Sequence, residues 1–77
     1  MYFEAFMSDT FTLSGSEFIT LANLLKIEGW VGSGALAKKV IDDGKVTVDG
    51  VVETRKRCKL VAGQRIEFNG NAIVIGQ

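Results

Sequence analysis

The stretch Gly44-Lys45-Val46-Thr47-Val48-Asp49-Gly50-Val51-Val52 marks the point where the hydrophobic pattern of the chain changes. Before Gly44 the apolar residues recur every three or four positions, and after it they alternate with polar ones. Asp49-Gly50 separates two runs rich in valine, and this dipeptide accepts the positive φ angles of a type I′ turn. The stretch therefore predicts a β-hairpin over residues 46–53 that follows a helical region.

Two helices are predicted before this hairpin. The first extends from Thr20, which suits the N-cap position, to Gly29, which suits a left-handed stop. The second extends from Ser33, another N-cap candidate, to Gly44. In both segments the apolar residues have helical spacing. The alternating segment 10–13 predicts a short strand before the first helix.

Strands are also predicted after the hairpin. Residues 65–68 and 72–75 are two apolar segments joined by Asn69-Gly70, which predicts a second tight hairpin. The fold class is therefore α+β, with two helices followed by a small, mostly antiparallel sheet that contains two hairpins.

Length and composition indicate a single small folded domain. The chain has 77 residues, of which 47% are hydrophobic, and this favours one compact core. Residues 10–77 are predicted to form the domain, and residues 1–9 are expected to be a flexible tail. No apolar run approaches the roughly 20 residues that cross a bilayer, so we expect a cytoplasmic monomer without a signal peptide or membrane anchor.

The residue types present argue against an enzyme. The chain has one cysteine and no histidine, which excludes an internal disulfide and a nucleophile activated by histidine. Asp42 and Asp43 are neighbours on a predicted helix and point in different directions, so they do not converge. Cys58 lies between two cations that could lower its thiol pKa, although a half-buried structural role is favoured. Trp30 is expected in the core. No catalytic residue, metal site or cofactor is predicted.

The charge of the chain is neutral overall and unevenly distributed. Nine basic residues balance nine acidic ones, yet the segment from Arg55 to Arg65 has five basic residues and no acidic one. One interpretation is a strand edge whose charges prevent aggregation. The other is a surface that binds a polyanion. Lys38, Lys39 and Lys45 could converge on the same side as this basic run, and that convergence favours the polyanion-binding interpretation.

Four motifs follow one another along the chain. They are, in chain order, Leu24-Leu25-Lys26-x-x-Gly29, Ser33-Gly34-x-x-Ala37-Lys38, Ile41-x-x-Gly44-x-Val46-x-Val48-Asp49-Gly50 and Val61-x-Gly63-Gln64-x-Ile66. Together these motifs resemble the RNA-binding domain named after ribosomal small-subunit protein S-four. The resemblance spans roughly residues 20–68, and within the family the chain looks most like stand-alone bacterial YbcJ-type proteins.

This resemblance implies a non-catalytic protein with the alpha-L motif, which binds structured RNA, commonly ribosomal or transfer RNA. It implies contacts at Ser33, Lys38 and the Asp49-Gly50 turn. The chain departs from the family pattern at Gly34, where many relatives have arginine, and at Asp49, where many have asparagine. We expect the basic run to compensate. The complete set of predicted RNA-contacting residues is Ser33, Lys38, Lys39, Lys45, Asp49, Gly50, Arg55, Lys56, Arg57, Lys59 and Arg65.

Two other functions fit the sequence. An exposed strand edge could bind a protein partner. The chain could also assist the ribosome or an RNA-modifying enzyme in trans, because related domains are often fused to modifying domains.

Overall fold

The structure, a computed structural model, describes residues 9–77. The expected tail at residues 1–9 lies outside the described residues except for Asp9, the first residue of a strand. The elements, in chain order, are β1 (Asp9–Thr12), β2 (Ile19–Thr20), α1 (Leu21–Ile27), α2 (Gly34–Asp42), β3 (Val46–Val48), β4 (Val51–Val52), β5 (Lys59–Leu60), β6 (Arg65–Phe68) and β7 (Asn71–Gly76).

The strands form two sheets of unequal size. The larger sheet has the order β1-β7-β6-β3-β4, and β2 pairs with β5 in a separate two-stranded sheet. All pairs are antiparallel except β1 and β7, which run parallel with Asp9 opposite Ile73. The predicted α+β class with a mostly antiparallel sheet is confirmed, and the parallel pair and the second sheet are additions to it.

Both predicted helices form, and their ends follow the expected residues. Ser33 Oγ accepts a hydrogen bond from the backbone N–H of Leu36 at 3.2 Å, which is the predicted N-cap of α2. Gly29 has φ 74° and Gly44 has φ 75°, the left-handed conformation expected just after a helix. Thr20 occupies the N-cap position of α1, but its side chain makes no capping hydrogen bond.

The two predicted hairpin turns are also present. Asp49 and Gly50 have φ angles of 53° and 84°, and Asn69 and Gly70 have 51° and 84°. Two consecutive positive φ angles define the type I′ turn, whose twist matches that of the strands on either side. These turns set the pairing of β3 with β4 and of β6 with β7.

The core lies between the helices and one face of the larger sheet. Alternating residues of the strands point to that face, and Trp30 packs against it from the edge with its ring 6.5 Å from that of Phe68. The sequence had led us to expect Trp30 in the core, but it is partly buried and packs against the core without being one of the buried core residues. The buried side chains are Leu13, Leu21, Leu24, Leu25, Ala37, Ile41, Val46, Val48, Leu60, Ile66, Ile73 and Ile75.

The central position of Ile66 in this core can be tested by truncation. Ile66 is fully buried on β6, so we expect Ile66→Ala to lower the free energy of unfolding by about 2–5 kcal/mol. The control Val51→Ala changes a side chain that is 69% exposed, and it should change that free energy by at most about 0.5 kcal/mol. Chemical denaturation measures both. Similar losses for the two variants would contradict the described core.

Candidate nucleic-acid interface

The basic run lies mainly in a loop and not on a strand edge. Residues 53–58, which we call the basic loop, connect β4 to β5, and Lys59 is the first residue of β5. The loop contains a turn in which the backbone N–H of Cys58 donates to the carbonyl of Arg55 at 3.1 Å. For Arg55, Lys56 and Arg57 the interpretation as a strand edge is therefore wrong, whereas Lys59 does lie on a strand.

The backbone of the basic loop is fixed to the start of α1. The N–H of Leu21 donates to the carbonyl of Cys58 at 2.9 Å, and the N–H of Ala22 donates to the carbonyl of Lys56 at 3.1 Å. The first N–H groups of a helix lack partners within the helix, and here the loop supplies partners in place of the Thr20 side chain. Pairing of Thr20 with Lys59 continues the same attachment.

Three cations gather on this loop and the adjoining strand. Lys56, Arg57 and Lys59, which we call the basic cluster, line one open depression together with Phe18, Thr20, Ala22 and Asn23. A neighbouring depression shares Arg57 and Lys59 and adds Arg55 and Cys58. Within residues 9–77, no member of the basic cluster forms a salt bridge. The sequence prediction of concentrated, unopposed charge therefore fits these three residues.

Arg55 differs because a carboxylate holds it. Its Nε donates to Oε2 of Glu53 at 2.9 Å, and a second guanidinium nitrogen donates to Oε1 at 3.0 Å. The backbone N–H of Arg55 also donates to Oε2. The side-chain hydrogen bond from Arg55 is the main reason that the pKa of Glu53 falls from 4.5 to about 2. Glu53 thus neutralises the charge of Arg55. The charge count from Arg55 to Arg65 began after Glu53 and therefore did not include this acid.

Lys45 and Arg65 lie in a separate group. They line a depression on the outer face of the larger sheet, together with Thr47 and Glu67. Arg65 forms a salt bridge with Glu67 at 3.2 Å, and the same carboxylate accepts a hydrogen bond from the Thr47 hydroxyl. This depression shares no lining residue with those of the basic loop. Lys45 therefore does not line a depression together with the cations of the basic loop, although the sequence led us to expect that they converge.

The three predicted positions at α2 differ in their contacts. Ser33 is exposed and caps the helix, and Lys38 is exposed on it. Lys39 forms a salt bridge with Asp43 at 3.3 Å, which also places a cation beside the acidic last turn of the helix. Asp42 and Asp43 are both exposed at the end of this helix.

Sequence reasoning missed a cation near the start of α2. Lys26 on α1 has its Cδ atom 3.9 Å from the position that a Cβ atom would take at Gly34. The stem of this lysine therefore lies beside the position where many relatives have arginine. The only sequence feature that pointed to this place was the glycine at residue 34. The contact between Lys26 and residue 34 joins two helices, and the local spacing of residues does not reveal such contacts.

Asp49 has a structural role at the tip of the first hairpin. Its carboxylate Oδ1 accepts a hydrogen bond from the backbone N–H of Arg65 at 2.9 Å, and its own N–H donates to the carbonyl of Arg65 at 2.7 Å. The aspartate therefore fixes the turn to β6. Gly50 next to it is exposed, and a Cβ atom there would have no neighbour within 4 Å. An open turn of this kind leaves room for a ligand's backbone to approach.

The side chain of Cys58 is not poised for nucleophilic chemistry. Burial raises the pKa of its thiol, and the negative charge of Glu53 raises that pKa further. The half-buried structural role favoured by the sequence is consistent with this.

Among residues 9–77, no group of three or more His, Cys, Asp or Glu side chains could hold a metal ion. The helices in this range are also too short and too polar to span a membrane.

Comparison with known proteins gives consistent matches over most of the chain. The sequence model of the family described as S4 domain matches residues 11–76. YbcJ of Escherichia coli (strain K12) and YbcJ of Shigella flexneri are each 53% identical over 66 residues, which cover 86% of this chain and 94% of either relative. The solution structure of E. coli YbcJ, described as having an alfa-L motif involved in RNA binding, superposes with a TM-score of 0.73 at 47% identity and covers 100% of this chain and 98% of that one.

The ion pair between Glu53 and Arg55 can be tested by its pH dependence. Because the pKa of Glu53 is lowered in the folded state to about 2 from 4.5, the stabilisation is complete above pH 4.5 and is lost as the pH falls toward 2. We expect Glu53→Gln to lower the free energy of unfolding at pH 7 only modestly, because solvent screens the exposed guanidinium of Arg55. Thermal unfolding between pH 7 and pH 2 should show this difference shrinking.

A matched control is Glu17→Gln, which removes the same charge from an exposed residue with no salt bridge among the described residues. Its difference from the unsubstituted protein should not follow the same pH course. A Glu53→Gln difference that stays constant from pH 7 to pH 2 would contradict the role of the ion pair.

Proposed function

The chain belongs to the S4 domain family, and on this premise we propose that it binds structured RNA without catalysing a reaction. The observation that carries the proposal is the basic cluster, three cations without acidic partners among the described residues on a loop anchored to α1. An anchored loop presents its charges in a fixed arrangement, so less ordering is needed on binding. Phosphate groups supply the complementary charge.

The proposed ligand is a folded RNA, either a ribosomal RNA or a transfer RNA. A-form RNA has a wide, shallow minor groove that displays 2′-hydroxyls and phosphates, and proteins recognise it mainly by shape. We propose that it works in the cytoplasm as a monomer and needs no cofactor.

The structure favours some predicted contact residues over others. The basic cluster, Lys38 and the neighbouring Lys26 have no acidic partner among the described residues. Arg55, Lys39 and Arg65 each have one, so binding phosphate would compete with their carboxylates. Ser33 and the Asp49-Gly50 turn are proposed to approach the RNA backbone, because both are exposed. Lys45 remains a peripheral candidate on the outer face of the sheet.

This proposal implies a strong dependence on salt. If about five or six phosphates are contacted, log affinity should fall with log salt concentration at a slope of about −4 to −5.

A second candidate function is protein binding at the hairpin, because Val51 and Val52 on β4 are 69% and 53% exposed. An apolar interface of that kind would weaken little with added salt. Either RNA binding or protein binding would allow the chain to assist the ribosome or an RNA-modifying enzyme.

A charge-matched pair of variants tests the proposal. Lys56→Ala/Arg57→Ala removes two cations of the basic cluster, whereas Lys39→Ala/Arg65→Ala removes two cations that already have acidic partners. We expect the first variant to lower RNA affinity about tenfold and to make the salt slope shallower by about 2. The second variant should lower affinity by less than about threefold. Binding to transfer RNA and to a ribosomal RNA fragment across a salt series measures both.

Two results would overturn this proposal. One is the absence of binding to either RNA at low salt. The other is a shallow slope that both variants share with the unsubstituted protein, which would favour a protein partner at the hairpin.

A further inference from the structure

Phe18 stands out among the aromatic residues that the structure describes. It is 38% exposed, whereas Phe11, Trp30 and Phe68 are partly buried and pack against the core. Phe18 lies directly before β2, outside both helices and the larger sheet. Phe18 belongs neither to the buried core nor to the side chains packed against it, and its position in the depression lined by the basic cluster suggests a binding role.

The surroundings of Phe18 combine three kinds of chemistry in one depression. The basic cluster supplies positive charge, Asn23 supplies an amide that can both donate and accept hydrogen bonds, and the ring supplies an apolar face. The ammonium group of Lys59 lies 4.8 Å from the ring centroid, in a cation–π contact. The depression on the outer face of the larger sheet and the one beside Arg55 have no exposed aromatic ring.

We infer that Phe18 is a stacking platform for one unpaired nucleobase. The base would lie on the ring, Asn23 would face the edge of the base, and the basic cluster would bind the phosphates on either side. This inference rests on the proposed function and deepens it, because it specifies the feature of the RNA that is recognised. That feature is a bulged or looped-out nucleotide beside a duplex, since a base inside the duplex presents no free face.

The contact between Lys59 and the ring is compatible with this role. Stacking of a base on an aromatic side chain raises affinity by about 5- to 150-fold, whereas an exposed cation–π contact corresponds to only about 2- to 5-fold. A base can therefore replace the ammonium group over the ring. The released Lys59 remains beside the base, where its charge can bind the neighbouring phosphate.

The experiment uses two RNA hairpins that differ only in one base. Both have a single-nucleotide bulge, which holds 2-aminopurine in one hairpin and an abasic sugar in the other, so the number of phosphates is the same. We expect the unsubstituted protein to bind the hairpin with the base about 5- to 150-fold more tightly. We also expect the fluorescence of 2-aminopurine to be quenched on binding, because stacking changes its emission.

Three substitutions assign this preference to Phe18. Phe18→Leu keeps an apolar side chain but removes the ring face, and it should reduce the preference to about one without changing the affinity for the abasic hairpin. Phe18→Trp should keep the preference and the quenching. Phe11→Leu makes the same change outside the depression and should keep both. Circular dichroism and thermal unfolding confirm that each variant is folded.

The outcomes separate this inference from the proposed function. Equal affinity of the unsubstituted protein for both hairpins, or a preference that persists in Phe18→Leu, would overturn the stacking platform. RNA binding itself would still stand in either case, because the abasic hairpin reports the phosphate contacts alone. Failure to bind either hairpin at low salt would overturn both proposals.

Discussion

Two backbone hydrogen bonds, from the N–H groups of Leu21 and Ala22 to the carbonyls of Cys58 and Lys56, determine how the candidate site is built. They join residues far apart in sequence, and they satisfy helix donors that would otherwise lack partners. The same carbonyls hold the backbone of the basic loop against α1, with Arg57 exposed and Lys56 partly exposed. Without these bonds the loop would be an ordinary connection between two short strands, with its charges free to disperse.

Charge pairing then divides the cations of this neutral protein into two kinds. Glu53, Asp43 and Glu67 hold Arg55, Lys39 and Arg65, and these pairs contribute modest local order. The bidentate contact of Glu53 is the best formed of them, because the carboxylate also accepts the backbone N–H of Arg55. It shapes the first half of the basic loop. The second half, with the basic cluster, is left with its charge available to a ligand.

Local features of the structure could be predicted from the sequence, and long-range ones could not. The turns at Asp49-Gly50 and Asn69-Gly70 and the cap at Ser33 depend on residues within a few positions, so their signals are strong. Pairing of β1 with β7 depends on residues at opposite ends of the described range. The two-residue pair of β2 and β5 is too short to give a periodic signal.

The candidate site was predictable to a similar extent. The concentration of charge between residues 55 and 59 was visible in the sequence, because it is a local property. The separation of Lys45 and Arg65 from that run depends on which face of the sheet each residue occupies. The ring of Phe18 reaches the basic cluster, and the stem of Lys26 reaches the start of α2, only through contacts between elements. Such contacts depend on how the elements pack together, and the spacing of residues along the sequence does not reveal them.

The position of β7 between β1 and β6 has a consequence for how the protein is made. During translation β1 leaves the ribosome first, and its partner strand is synthesised only after every other element. Until β7 emerges, the nascent chain can form its helices but carries β1 as an unpaired strand. The larger sheet is therefore completed late, and until β7 is available β1 exposes unpaired backbone groups that could pair with another chain.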